Sequence, residues 1–161
     1  MTTSKETSGP AIGETAPTFV LPGSADTEIN LASFSGKSVV LYFYPRDDTP
    51  GCTTEAIDFT ASLEEFAAAG AVIIGVSKDT VAKHDKFITK HNLSVMLASD
   101  TEGTVCEDYG VWVEKNMYGK KYMGIERATY LIGPDGTVQN RWRKVKVKGH
   151  VAEVLAAAKS L

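Results

Sequence analysis

The stretch 38-SVVLYFY-44 is an unbroken run of β-branched and aromatic residues, and 71-AVIIGVS-77 is a second such run. Runs of this kind read as strands buried on both faces of a sheet. Between them, after the loop 45-PRDDTPG-51, Ala56, Phe59, Leu63 and Phe66 recur at helical spacing. Alanines and Gly70 then mark a helix end. Strand, helix and strand of these lengths make a parallel pair joined by a right-handed crossover.

The same reading extends outward. Asp79 or Thr80 caps a helix over 80–91, with Val81, His84, Phe87, Ile88 and His91 near one side. A short strand follows around 95-VML-97, then a short helix over 101–110 ending at Gly110. The runs 127-RATYLI-132 and 137-TVQNRW-142 form a hairpin across the turn Pro134-Asp135-Gly136. An amphipathic terminal helix covers 150–161. Segments 17-PTFVLP-22 and 28-EINLASF-34 read as a small N-terminal hairpin, and 114-EKNMYGKKYMG-124 as either a loop bordering the site or a surface hairpin. Residues 1–10 read as a loose polar arm and 11–161 as one domain. The pattern supports a three-layer α/β fold with a mixed sheet, and the order of its halves suggests the thioredoxin architecture.

Composition narrows the function classes. At 161 residues the chain is one domain by length and buries enough surface to need neither disulfide nor metal for its core. Its 43% hydrophobic and 23% charged residues are ordinary for a globular protein. A net charge of -3 supplies no field for nucleic acid or an anionic membrane. The basic run 141-RWRKVKVKGH-150 alternates Lys with Val, as a half-exposed strand does, and reads as a solvated edge. No apolar run approaches a membrane span, and the polar N-terminus lacks a signal peptide's apolar region, so the cytoplasm is the expected location. Two cysteines do not make a disulfide scaffold.

One of those cysteines has an unusual setting. In 44-YPRDDTPGCTTEA-56, Cys52 follows a Pro-Gly turn at the C-terminal end of a central strand and opens a helix. That is where α/β folds place active sites. A helix start offers unpaired N–H groups and partial positive charge, which favour the nucleophilic thiolate. Thr49, three residues earlier, is placed to hydrogen-bond the sulfur or a bound substrate oxygen. Pro45 closes the strand and is placed to cover the thiolate. Tyr44, beside it, is placed to wall a pocket. The competing reading makes Cys52 a small apolar filler.

Other cysteine chemistries fit less well. A Cys-x-x-Cys redox site needs cysteine at 55, where Glu55 stands. A Cys-x5-Arg phosphatase loop needs arginine where Asp58 stands. A zinc site needs about four clustered ligands. A cysteine hydrolase needs a histidine base, and His84, His91 and His150 read as surface or packing residues.

Pro45-x-x-x-Thr49-x-x-Cys52 resembles the active-site signature of the peroxiredoxins, and 41-LYFYPRDDTPGCTTEA-56 resembles the peroxiredoxin Q, or bacterioferritin comigratory protein, subfamily. Similar strings run in order over about residues 11–160, among them 12-IGETAPTFVLP-22, 71-AVIIGVSKDT-80, 109-YGVW-112 and 124-GIERATYLI-132. The resemblance implies a thioredoxin-like fold and thiol-dependent reduction of hydrogen peroxide and organic hydroperoxides, with no metal and no bound cofactor. It implies that Cys52 is the peroxidatic cysteine, that Pro45 and Thr49 shape its pocket, and that Arg127 stands over sulfur and peroxide with Glu55 as its contact. An arginine is suited to this work because it stays charged and presents a rigid fork of donors.

The chain departs from that pattern in its second cysteine. Members similar to it carry a resolving cysteine five residues after the first, here Ile57, or in the next helix, here near Phe87-Ile88-Thr89. Cys106 remains as a resolving thiol, an intermolecular partner or buried filler, and its apolar surroundings favour filler. The expected mechanism is therefore of the one-cysteine type, with thioredoxin, glutaredoxin or a small thiol as reductant and a monomeric protein. The alternative is a thioredoxin-like redox sensor or interaction module, oxidised at Cys52 without rapid turnover.

Overall fold

The computed structural model describes residues 9–161. The expected arm over 1–10 lies outside them except for its last two residues, and there the boundary moves. Pro10 is buried and its carbonyl accepts a 2.8 Å hydrogen bond from Arg141 Nη1.

In chain order the elements are β1 (Val20–Gly23), β2 (Thr27–Asn30), β3 (Ser38–Phe43), α1 (Pro50–Ala61), α2 (Leu63–Ala68), β4 (Ala71–Ser77) and α3 (Val81–His91). There follow β5 (Met96–Ser99), α4 (Val105–Asp108), β6 (Trp112–Met117), β7 (Lys120–Ile125), β8 (Ala128–Ile132), β9 (Val138–Trp142) and α5 (His150–Lys159). One seven-stranded sheet has the order β2-β1-β5-β4-β3-β8-β9, and β6 and β7 pair as a separate hairpin. β3 runs parallel to β4 and antiparallel to β8, so the sheet is mixed.

The continuous apolar runs sit in the middle of the sheet because both their faces are covered. Along β3, Val39, Leu41 and Phe43 enter one core while Val40, Tyr42 and Tyr44 enter the other. Alternation along a pleated strand causes this division. Each fully buried side chain of this size contributes roughly 1.5–3 kcal/mol. Tyr42 needs its neighbour to be glycine. A Cβ on Gly75, its register partner on β4, would stand 2.7 Å from the Tyr42 ring and 2.8 Å from Leu97.

Three expectations change in detail. The helix after Cys52 is two helices, divided at Ser62, whose φ of -102° and ψ of 9° leave the helical basin. Serine competes for nearby backbone groups and so favours such breaks. The helix expected over 101–110 is the single turn α4. The basic run 141–150 is not a strand beyond Trp142, although the Lys–Val alternation does record burial. Val145 and Val147 are half-buried while Lys144, Lys146 and Lys148 are exposed. The segment is irregular because it folds back on the site: Val145 N–H bonds the Arg127 carbonyl at 3.0 Å.

Candidate active site

The loop 45–49 leaves β3 and delivers the chain to α1. Pro50 takes the first helical position, where a missing N–H costs nothing. Thr53 N–H is bonded to the Thr49 carbonyl at 2.8 Å. Gly51 and Cys52 thus carry the donors that the helix start leaves without intrahelical partners. Cys52 is only 2% exposed, within the core that also holds Tyr42, Tyr44 and Phe59.

Arg127 reaches it from the neighbouring strand. Phe43, near the end of β3, is paired with Ala128, the first residue of β8, so Arg127 stands beside the exit of β3. Its Nη2 donates to Cys52 Sγ at 3.3 Å and its Nη1 donates to Glu55 Oε1 at 2.7 Å. Cys52 and Glu55 lie three positions apart, on one helical face, so one fork spans both. Gly51 leaves room for it, since a Cβ there would stand 3.2 Å from Nη2.

The charges are strongly coupled. Glu55 is fully buried and its Oε2 has no hydrogen-bond partner. Burial therefore outweighs the Arg127 charge and pushes the Glu55 carboxyl up to about 7. For Arg127, burial acts downward, but Cys52 and Glu55 hold it above its usual value. Lys115 is held below its usual value by burial and then by the Arg127 charge.

A cleft of about 630 Å³ borders the loop that leads to Cys52; its wall includes Pro45, Arg46 and Thr49 together with Lys115, Tyr122 and Met123, but not Cys52 or Arg127 themselves. The segment 114–124 is thus a β-hairpin that also borders the site. Pro45 is exposed at the mouth of the cleft. The Thr49 hydroxyl does not reach for the sulfur; it donates to the Arg46 carbonyl at 2.9 Å, which leaves only its acceptor lone pairs for a ligand. Tyr44 does not wall this cleft. It is buried, stacks on Tyr42 with centroids 5.5 Å apart, and donates its hydroxyl to Asp47 Oδ1 at 2.6 Å.

Sequence reasoning offered 114–124 as a border of the site without singling out Lys115, Tyr122 or Met123, and it misread His84. His84 is neither a surface residue nor simple packing. It is fully buried, with Nδ1 2.7 Å from Asp47 Oδ2 and Nε2 3.0 Å from the Ala98 carbonyl oxygen. Its place on the buried face of a helix was legible, but its partners lie 37 and 14 positions away.

Cys106 is buried in the other core, packed with Tyr109 and Tyr130, whereas Cys52 belongs to the α1 side of the sheet. Burial, reinforced by Asp100, pushes the Cys106 thiol far up. Among the described residues no group of His, Cys, Asp or Glu is gathered for a metal ion. Among the same residues no helix is long and apolar enough to cross a membrane.

Comparison with known proteins places the chain in a family. Residues 12–141 match the AhpC/TSA family. Peroxiredoxin Bcp of Bacillus subtilis (strain 168) is 52% identical over 150 residues, covering 93% of this chain and 96% of the relative. Peroxiredoxin Bcp of Xanthomonas campestris pv. campestris is 51% identical over 147 residues, covering 90% of this chain and 92% of the relative. Among solved structures, Xanthomonas campestris peroxiredoxin Q superposes with a TM-score of 0.84 at 50% identity, over 88% of this chain and 90% of that one. Another, at 49% identity and TM-score 0.84, covers the same shares of the two chains and was solved to study the alkyl peroxide reduction activity of the Xanthomonas campestris bacterioferritin comigratory protein.

Proposed function

The chain belongs to the AhpC/TSA family and is a thiol-dependent peroxidase of thioredoxin-like fold, and on that premise we propose that Cys52 is its peroxidatic residue and works without a resolving partner in the same chain. The observation that carries the assignment is the Arg127 fork, one arm on Cys52 Sγ and the other on Glu55.

The chemistry follows from that fork. The Cys52 thiolate attacks one peroxide oxygen, an S–O bond forms and the O–O bond breaks. The sulfur becomes a sulfenic acid, and the leaving oxygen departs as hydroxide or alkoxide and takes up a proton to give water or an alcohol. Negative charge passes from sulfur to the leaving oxygen, and a donor aimed along that path stabilises it without rearranging. Arg127 Nη2 is such a donor. Thr49, with its own hydrogen given to Arg46, accepts the hydrogen of the incoming hydroperoxide. Pro45 keeps water from the mouth of the site. An external thiol then attacks the sulfenic sulfur, water leaves, and a second thiol releases Cys52.

Cys106 is assigned a packing role, because a bond to Cys52 would require its Cα within about 7 Å and the sheet lies between their two cores. Thioredoxin, glutaredoxin and a small thiol remain the candidate reductants, and the working unit is taken as a monomer in the cytoplasm.

The test is intact mass after one equivalent of hydrogen peroxide, with free thiols trapped and sites mapped. The expected product has one oxygen on Cys52 and an untouched Cys106. A Cys52–Cys106 disulfide would make Cys106 the resolver. A folded protein whose Cys52 stays a free thiol in excess peroxide would end the assignment.

A further inference from the structure

The loop that carries Pro45 and Thr49 joins α1 at Thr49, but its middle, Asp47 and Asp48, is held by α3 and the residues leading into it. The Asp47 N–H donates to Asp79 Oδ2 at 2.8 Å, at the approach to α3. The Asp47 carboxylate accepts from the Tyr44 hydroxyl and meets His84 Nδ1 at 2.7 Å. The Asp48 carboxylate accepts from Lys90 Nζ at 2.7 Å and lies 2.8 Å from His91 Nε2, both on the last turn of α3. Asp48 has a φ of 61°, a left-handed conformation unusual for any residue but glycine.

His84 itself cannot swing. Its Nε2 faces a carbonyl, which only accepts, so that nitrogen donates. Its Nδ1 lies 2.7 Å from the Asp47 carboxylate. A buried histidine with both nitrogens engaged, set against a buried aspartate with both oxygens engaged, is a rigid joint.

We propose that Asp47 and His84 are a positioning pair that locks the 45–49 loop onto α3, so that Thr49 and Pro45 meet the peroxide at Cys52, with Asp48 as the outer hold. This rests on the peroxidase reading above. The pair touches neither sulfur nor substrate; it acts by fixing the loop. The inner joint dominates because it is buried, whereas the Asp48 contacts are exposed and screened by water.

The test uses three variants of the full chain. Each is assayed for Cys52 oxidation by hydrogen peroxide, Cys52 alkylation by iodoacetamide, and amide hydrogen exchange. Alkylation needs the sulfur but not the loop. Asp47→Ala is expected to slow oxidation at least tenfold relative to alkylation, with faster exchange confined to 44–49 and the start of α3. Asp47→Asn is expected to recover most of the rate, since an amide of the same shape keeps an acceptor for the Tyr44 hydroxyl and a polar group against His84 Nδ1. Asp48→Ala is expected to slow oxidation two- to fivefold, and it decides the matter if Asp47→Ala does not fold. Asp47→Ala, or in its stead Asp48→Ala, that keeps the wild-type oxidation-to-alkylation ratio would overturn the proposal. So would exchange that rises evenly through β3 and β8. A wild type that leaves peroxide untouched would instead overturn the peroxidase reading.

Discussion

Arg127→Lys separates the charge at the site from its geometry. The guanidinium holds Glu55 with Nη1 and Cys52 with Nη2 at once, at 2.7 and 3.3 Å. An ammonium keeps the charge but is a single point, and it settles on Glu55, whose fully buried carboxylate has the larger need. A unit charge 3.3 Å from a thiolate is worth about 5 kcal/mol at an effective dielectric near 20. Part of that already stabilises the ground-state thiolate, so the transition state alone loses about 3 kcal/mol, or roughly a hundredfold in rate. Stability is expected to fall by only about 1 kcal/mol because Glu55 keeps a partner. Removing the partner altogether, as in Arg127→Ala, costs about 3–5 kcal/mol. The assay is single-turnover oxidation of Cys52 in a rapid-quench mixer, with urea unfolding of the same samples. An Arg127→Lys protein that oxidises within threefold of wild type would refute the reasoning, since charge alone would then suffice.

Further outcomes follow from the same site and its surroundings. Glu55, raised to about 7 from an ordinary 4.5, contributes stability that is present below 4.5 and lost as pH rises through 7, about 3 kcal/mol in all. His150, lowered by burial to about 4 from 6.5, acts in the opposite sense: its contribution is full above 6.5 and lost as pH falls toward 4, again about 3 kcal/mol. The two offset one another in the wild type between pH 4.5 and 6.5. Urea midpoints should therefore rise with pH in Glu55→Gln and fall with pH in His150→Gln, and flat profiles in both would contradict these assignments. Gly51→Ala should slow Cys52 oxidation about three- to tenfold with little loss of stability, read by the same quench experiment, because its new methyl crowds Arg127 Nη2. Cys106→Ala should leave the first turnover unchanged while lowering stability by about 1–2 kcal/mol, measured by thermal unfolding.

Much of this protein was legible in one dimension because its signals are local. The runs at 38–44 and 71–77 report burial on two faces, and β-branched runs bounded by turns have few other uses. Thr80 caps α3 with its own side chain, bonding Lys83 N–H within one turn, so that boundary was readable from four residues. Cys52 at a helix start and Glu55 one turn later share a face by helical geometry alone. What remained hidden depends on distances that no spacing encodes. The approach of Arg127 to Cys52 across 75 positions was legible only through the family resemblance, because it is set by the antiparallel pairing of β3 with β8. The Asp47–His84 joint needs α3 to fold back over the loop, and the side of the sheet that Cys106 occupies is decided by packing. The Lys–Val alternation over 143–148 misled because period-two burial arises wherever a chain lies along a surface, with or without strand partners. The sequence alone therefore determined which elements form and that Cys52 opens a helix at the end of a central strand, since both rest on local propensity and spacing. Only the tertiary structure decided what the Cys52 sulfur touches, because long-range contacts depend on strand order and on how two cores close around one sheet.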